Sequence, residues 1–86
     1  MSNIYKFEVP EMGTALAMPN DYKLLTVMVQ KNVPCIWIQG SWAGDLPKAI
    51  DIWVEVTGGP PIKDGTYIGS YQVDWFVGHV FIKEKE

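Results

Sequence analysis

The sequence predicts an all-β fold, a small antiparallel barrel or sandwich of six to seven strands. Apolar and polar residues alternate along most of the chain, which is the period of a β-strand with one buried face. Clusters of Gly and Pro separate these runs, and no ten-residue segment has the 3.6-residue period of a helix. With 86 residues and no visible linker or repeat, the chain corresponds to a single domain over residues 1–86.

Four strands are predicted in the first half of the chain, over residues 4–9, 14–18, 22–30 and 33–39. In the first strand, Tyr5, Phe7 and Val9 share one face. The third strand is partly apolar on both faces, which is typical of a strand at the centre of a sheet. Pro34 falls near the start of the fourth strand, where a missing N–H is tolerated.

In the second half of the chain, the sequence predicts two long connections and three further strands. Residues 40–47 contain two Gly and one Pro and read as a loop, and residues 58–65 begin Gly-Gly-Pro-Pro, which cannot continue a sheet. Strict alternation predicts a strand over residues 48–57, and two more follow over residues 67–72 and 76–83. Gly69 and Gly78 lie inside these last strands and indicate a bulge, a tight bend or a close approach by another backbone or a ligand.

Charge and composition exclude several kinds of partner. The chain has no arginine, and its seven lysines against ten acidic residues give a net charge of −3. Because Arg is the usual bidentate partner of phosphate, and because the net charge repels a polyanion, we expect no binding of duplex DNA or RNA. No apolar run approaches the roughly 20 residues that span a bilayer, and no segment of signal-peptide length opens the chain. We therefore expect no membrane association and a cytoplasmic location.

The candidates for chemistry are few. Cys35 is the only cysteine, so it forms no intrachain disulfide, and its apolar neighbours favour a core thiol over a nucleophile. His79 is the only histidine, and a lone His in a strand favours a structural role. Asp51 and Glu55 lie four residues apart on one strand, roughly 13 Å by strand rise, and are typical of a solvated face. The sequence predicts no catalytic residue, metal site or cofactor, and thus no enzyme.

Aromatic residues in polar surroundings are the strongest deviation from an ordinary small domain. Four Trp, four Tyr and three Phe are present. Trp53 lies among carboxylates on the polar face of its strand, and Trp42 and Trp75 fall in connections. Clustered exposed aromatics mark an interface or a ligand site. The residues alone leave both alternatives open and favour a protein interface.

Several segments of the chain resemble those of a known protein family, and they occur in the same order along nearly the whole chain. They are residues 4–9 (Ile-Tyr-Lys-Phe-Glu-Val), Met18-Pro19, residues 24–27 (Leu-Leu-Thr-Val), Cys35-Ile36-Trp37, Thr57-Gly58-Gly59, residues 67–72 (Tyr-Ile-Gly-Ser-Tyr-Gln) and residues 78–81 (Gly-His-Val-Phe). The chain resembles a family of short bacteriophage proteins of unknown function. It departs from that family at Gly59, where a His is expected, so any role of that imidazole does not carry over.

The resemblance to phage proteins implies stoichiometric binding to something that the host makes. The first expectation is a sponge that sequesters a host nucleotide immune signal, such as a cyclic oligonucleotide, and that assembles as a homo-oligomer in the host cytoplasm. Aromatic rings would stack on the base and lysines would hold the phosphate. The candidate ligand-binding residues are Trp42, Lys48, Trp53, Lys63, Tyr67, Tyr71 and Trp75. The alternative is an inhibitor or adaptor that binds a host or phage protein through an exposed aromatic face.

Overall fold

The computed structural model describes residues 2–10, 12–42 and 46–85, and every regular element in them is a β-strand. The seven strands are β1 (Asn3–Glu8), β2 (Thr14–Met18), β3 (Lys23–Gln30), β4 (Val33–Gly40), β5 (Lys48–Val56), β6 (Thr66–Val73) and β7 (Phe76–Glu84). Each strand corresponds to one predicted from the alternation, with bounds within one or two residues. The all-β prediction is therefore confirmed.

The strands form two antiparallel sheets that pack face to face. One sheet has the order β1-β4-β3 and the other has the order β2-β5-β7-β6. In the part of the chain that the structure describes, no ladder joins the two sheets, so the fold resembles a sandwich and is not a closed barrel. Within the described residues, no helix is long and apolar enough to cross a membrane.

The core lies between the two sheets and takes one face from each. Ile36 and Ile38 of β4 meet Ile50 and Ile52 of β5, and all four side chains are buried. Met18, at the end of β2, is also fully buried. Alternation along β4 and β5 therefore places the aliphatic residues of each strand toward the other sheet, as the sequence predicts.

The prediction that β3 is a central strand is wrong, because β3 pairs only with β4 and lies at a sheet edge. A bulge between Leu24 and Thr26 explains the apolar residues on both of its faces. The extra residue reverses the alternation, so that Leu24 packs against the core while Leu25 is exposed.

A second bulge, between Tyr67 and Gly69 of β6, confirms one of the irregularities predicted from glycine. A Cβ atom at Gly69 would lie 2.8 Å from Cγ2 of Val27. The unpaired edges of β3 and β6 therefore approach each other closely, and Gly69 is the residue that permits the approach.

Short turns fix the register of two hairpins. Lys31 and Asn32 both have positive φ and form the two-residue connection between β3 and β4. This is the backbone of a hairpin turn whose twist matches the flanking strands. Asp74, also at positive φ, opens the two-residue connection between β6 and β7, and Trp75 is its second residue.

Candidate functional site

The outer face of the four-stranded sheet carries a row of aromatic rings. Trp53 of β5, Phe81 of β7 and Tyr67 of β6 are neighbours by register. The Trp53 and Phe81 rings are stacked, with centroids 6.0 Å apart and planes 16° apart, and Tyr67 meets Phe81 edge-on at 5.7 Å. Strand pairing therefore aligns one ring from each of these three strands across the sheet.

Trp53 lies on the polar face of β5 as predicted, but its side chain is buried, with 5% of the residue exposed. The connection between β5 and β6 covers it. Lys63 Nζ lies 4.6 Å from the centroid of the indole, and a Cβ atom at Gly65 would overlap Cη2 of Trp53. The indole N–H donates to Glu55 Oε2 at 2.9 Å. Trp53 thus anchors this connection and does not present a free ring.

Lysines surround a carboxylate at one end of the ring row. Lys63 Nζ lies 3.1 Å from Asp51 Oδ2, and Lys85 Nζ lies 3.3 Å from Asp51 Oδ1. The pKa of Asp51 is lowered, chiefly by the hydrogen bond from Lys63; burial opposes this effect, and the hydrogen bond from Lys85 adds to the lowering. Lys83 is opposite Asp51 in the ladder. Two lysines thus pair with the Asp51 carboxylate at this end of the outer face, and a third lies on the neighbouring strand.

A chain of hydrogen bonds occupies the other end of the same face. Tyr67 OH lies 2.7 Å from Ser70 Oγ, and Ser70 Oγ lies 2.7 Å from His79 Nδ1. The other ring nitrogen of His79, Nε2, lies 2.7 Å from Thr57 Oγ1. Both imidazole nitrogens thus have hydroxyl partners, which hold the ring in one orientation.

The most exposed aromatic surface lies at one end of the sandwich, and we name Val56, Trp75 and Phe76 the aromatic tip. Their exposed fractions are 51%, 91% and 41%. Shallow depressions lie on both sides of Trp75. One is lined by Asn32, Pro34, Tyr71 and Val73, and the other by Thr57 and Val77.

The remaining sequence candidates lie apart from the ring row. Trp42 follows β4 in the other sheet, and its ring meets Tyr5 edge-on at 6.0 Å. Lys48 pairs with Glu84 at 3.2 Å and lies 5.8 Å from the ring centroid of Tyr22, whose pKa is raised by burial and by Glu84. Tyr71 is a buried member of the core.

The seven candidates therefore do not form one site within a chain. Trp53, Lys63 and Tyr67 come together on the outer face. Trp75 is at the aromatic tip, where Tyr71 lines an adjoining depression, and Trp42 and Lys48 are elsewhere. Sequence reasoning missed Ser70 and Thr57 as partners of His79, because their contacts depend on register across β6, β7 and the end of β5. It also missed Val56 and Phe76, although Phe76 adjoins Trp75 in the sequence.

Cys35 and His79, considered above for chemistry, lie in different sheets. Cys35 is buried in β4, and its thiol contacts the carbonyl oxygen of Val33 at 3.5 Å. Among the described residues, no group of three or more His, Cys, Asp or Glu side chains is arranged to hold a metal ion.

Comparison with known proteins gives one match. No curated protein and no solved structure matches the chain. A family model described as a domain of unknown function, DUF7352, matches residues 1–86. Because the match covers the whole chain, the protein belongs to the DUF7352 family.

Proposed function

We propose that this protein acts by binding and not by catalysis, and that it binds a partner protein through the aromatic tip. The observation that carries this proposal is the exposure of Trp75, 91%, between the exposed side chains of Val56 and Phe76. In a phage setting, which the sequence resemblance implies, the partner would be a host protein that is inhibited or redirected.

The position of Trp75 supports a role in binding. A two-residue turn needs small or polar residues for its geometry and gains no stability from an indole in water. Trp is instead the residue type most enriched among those that dominate protein interfaces, where its ring fills a pocket on the partner. The shallow depressions on both sides of Trp75 would receive the partner residues around that pocket.

Replacing Trp75 tests the proposal. We expect Trp75→Ala to weaken partner binding about thirtyfold or more, since a central aromatic anchor contributes about 2 kcal/mol or more. The measurement is quantitative capture of proteins from host lysate by immobilised wild type and variant, followed by titration of the captured protein.

Leu46→Ala is the matched control, because Leu46 is also highly exposed, at 85%, but lies outside the aromatic tip. The proposal requires a protein that both wild type and Leu46→Ala retain and that Trp75→Ala loses. Equal retention by all three proteins would contradict it. Thermal unfolding checks that Trp75→Ala is folded.

Nucleotide sequestration is a second candidate function, which the outer face of the four-stranded sheet supports. Tyr67 is 54% exposed beside Phe81, and the lysines around Asp51 lie at the same end of the face as Trp53. A base would stack on the Tyr67 ring, and this stacking contributes on the order of 1–3 kcal/mol. The Lys63 ammonium group would leave Asp51 and pair with a phosphate of the ligand. The ligand in a phage setting would be a host immune signal.

Native mass spectrometry with cyclic di- and trinucleotides and nicotinamide-derived signals tests this second function. We expect a mass shift at integral stoichiometry for the wild type and for Tyr67→Phe, which keeps the ring. Tyr67→Ala and Lys63→Ala should lose the adduct, and salt should weaken it because a phosphate contact is electrostatic. If no member of the panel is retained by the wild type, the sponge hypothesis fails for these ligands and binding at the aromatic tip is unaffected.

A further inference from the structure

Among the residues that the structure describes, no strand pairs with the outer edge of β1. In the three-stranded sheet, β1 pairs with β4 alone. The edges of β3 and β6 approach each other at the opposite side of the sandwich. Strand β2 also has a free edge, but its five residues, Thr14–Met18, carry no charge. Strand β1 therefore offers the longer free edge and the one with charged side chains.

Alternate residues of β1 direct their backbone N–H and C=O groups toward this edge. Val9 N donates to Pro34 O at 2.9 Å, so the polar groups of Val9, Phe7 and Tyr5 face β4. In an antiparallel pair, the residues between them direct N–H and C=O groups to the other side. The amides and carbonyls of Ile4, Lys6 and Glu8 consequently face outward.

Charge on β1 selects a single symmetric way to pair this edge with a second copy. A two-fold axis through Lys6 would place the two Lys6 side chains opposite each other, and an axis through Glu8 would do the same for Glu8. An axis through Phe7 places Lys6 opposite Glu8 of the second copy, twice by symmetry. Opposite charges directly across an antiparallel pair stabilise it, and like charges destabilise it.

We propose that two copies of this chain associate through β1, antiparallel and with the two-fold axis at Phe7. The dimer would have a continuous six-stranded sheet of order β3-β4-β1-β1-β4-β3. Lys6 and Glu8 fall at hydrogen-bonded positions of this register, so each exchanges both backbone bonds with its partner. Lys6 Nζ also donates to Gln30 Oε1 at 2.6 Å, which leaves two of its protons for the carboxylate of Glu8 across the interface.

Charged residues on an edge strand also serve to prevent pairing, and charge reversal separates the two roles. The Lys6→Glu variant would place acidic residues opposite each other, and Glu8→Lys would place lysines opposite each other. We expect each to raise the dimer dissociation constant about tenfold. An equal mixture of the two variants restores opposite charges at both positions, so a heterodimer should form with nearly wild-type affinity.

The measurements are sedimentation equilibrium for affinity and native mass spectrometry for the heterodimer, with one variant labelled with ¹⁵N so that the two chains differ in mass. Lys23→Glu is the matched control, with the same charge change on exposed β3, and should dimerise like the wild type. A monomeric wild type at its solubility limit would overturn the proposal. So would unchanged dimers of Lys6→Glu, or a mixture that forms no heterodimer.

Hydrogen exchange of the wild type gives a test that needs no variant. With rising protein concentration, the amides of Lys6 and Glu8 should gain protection, whereas the amide of Phe7, already bonded to β4, should not change. A dimer in which the Lys6 and Glu8 amides exchange at a constant rate would use another surface and would refute the β1 interface.

Discussion

Glycine serves two different purposes in this chain. Gly58 has a φ of +79°, and no atom lies within 4 Å of the position where its Cβ would be, so its backbone conformation is what requires glycine. Gly78 is required by space. A Cβ atom there would lie 2.5 Å from Cζ of Tyr71 on the neighbouring strand. The group that approaches Gly78 is thus an aromatic side chain of the core, and not the backbone or ligand that the sequence suggested.

We expect Gly78→Ala to destabilise the fold by about 1–3 kcal/mol, because the added methyl group overpacks against Tyr71. Urea unfolding monitored by circular dichroism measures the loss. In a Tyr71→Leu background the ring is gone, so the cost of Gly78→Ala should fall well below its cost in the wild type. Additive effects of the two substitutions would show that Tyr71 is not what excludes a side chain at position 78.

At the scale of the strand, the sequence predicts what depends on neighbouring residues. Alternation along β5 gives its two faces, since Ile50 and Ile52 point into the core and Asp51 and Trp53 point away from it. It failed for β3, because a bulge reverses the alternation and gives an edge strand two apolar faces. The sequence of β3 contains no glycine that would indicate this bulge.

Contacts between elements were the part of the candidate site that the sequence could not predict. Trp53 is far from Gly65 in the chain, and only the path of the β5–β6 connection places the two in contact. The position of His79 between Ser70 and Thr57 depends on the ladders of three strands. Residue type suggested which side chains matter, but a one-residue change in register would separate these partners.

At the scale of the molecule, the two sheets depend on one shared core. Ile38 of β4 and Ile52 of β5 are both buried in the same cluster, which also contains Met18 and Val80. No backbone ladder connects the sheets within the described residues, so this apolar contact is the main interaction between them. An 86-residue domain has a stability of about 4–13 kcal/mol, of which a few buried aliphatic side chains account for a large part.

The shared core predicts that the sheets unfold together. Ile38→Ala and Ile52→Ala each remove a fully packed side chain, and we expect each to cost about 2–5 kcal/mol. Native-state hydrogen exchange at one protein concentration should show the same loss of protection for the slowest amides of β4 and β5 in both variants. If Ile38→Ala lowered protection in β4 alone, the three-stranded sheet would open while the other remained folded. The exposed edge of β1 would then belong to a unit that unfolds separately. If protection is instead lost equally in β4 and β5, every contact at the β1 edge contributes to the stability of the whole chain.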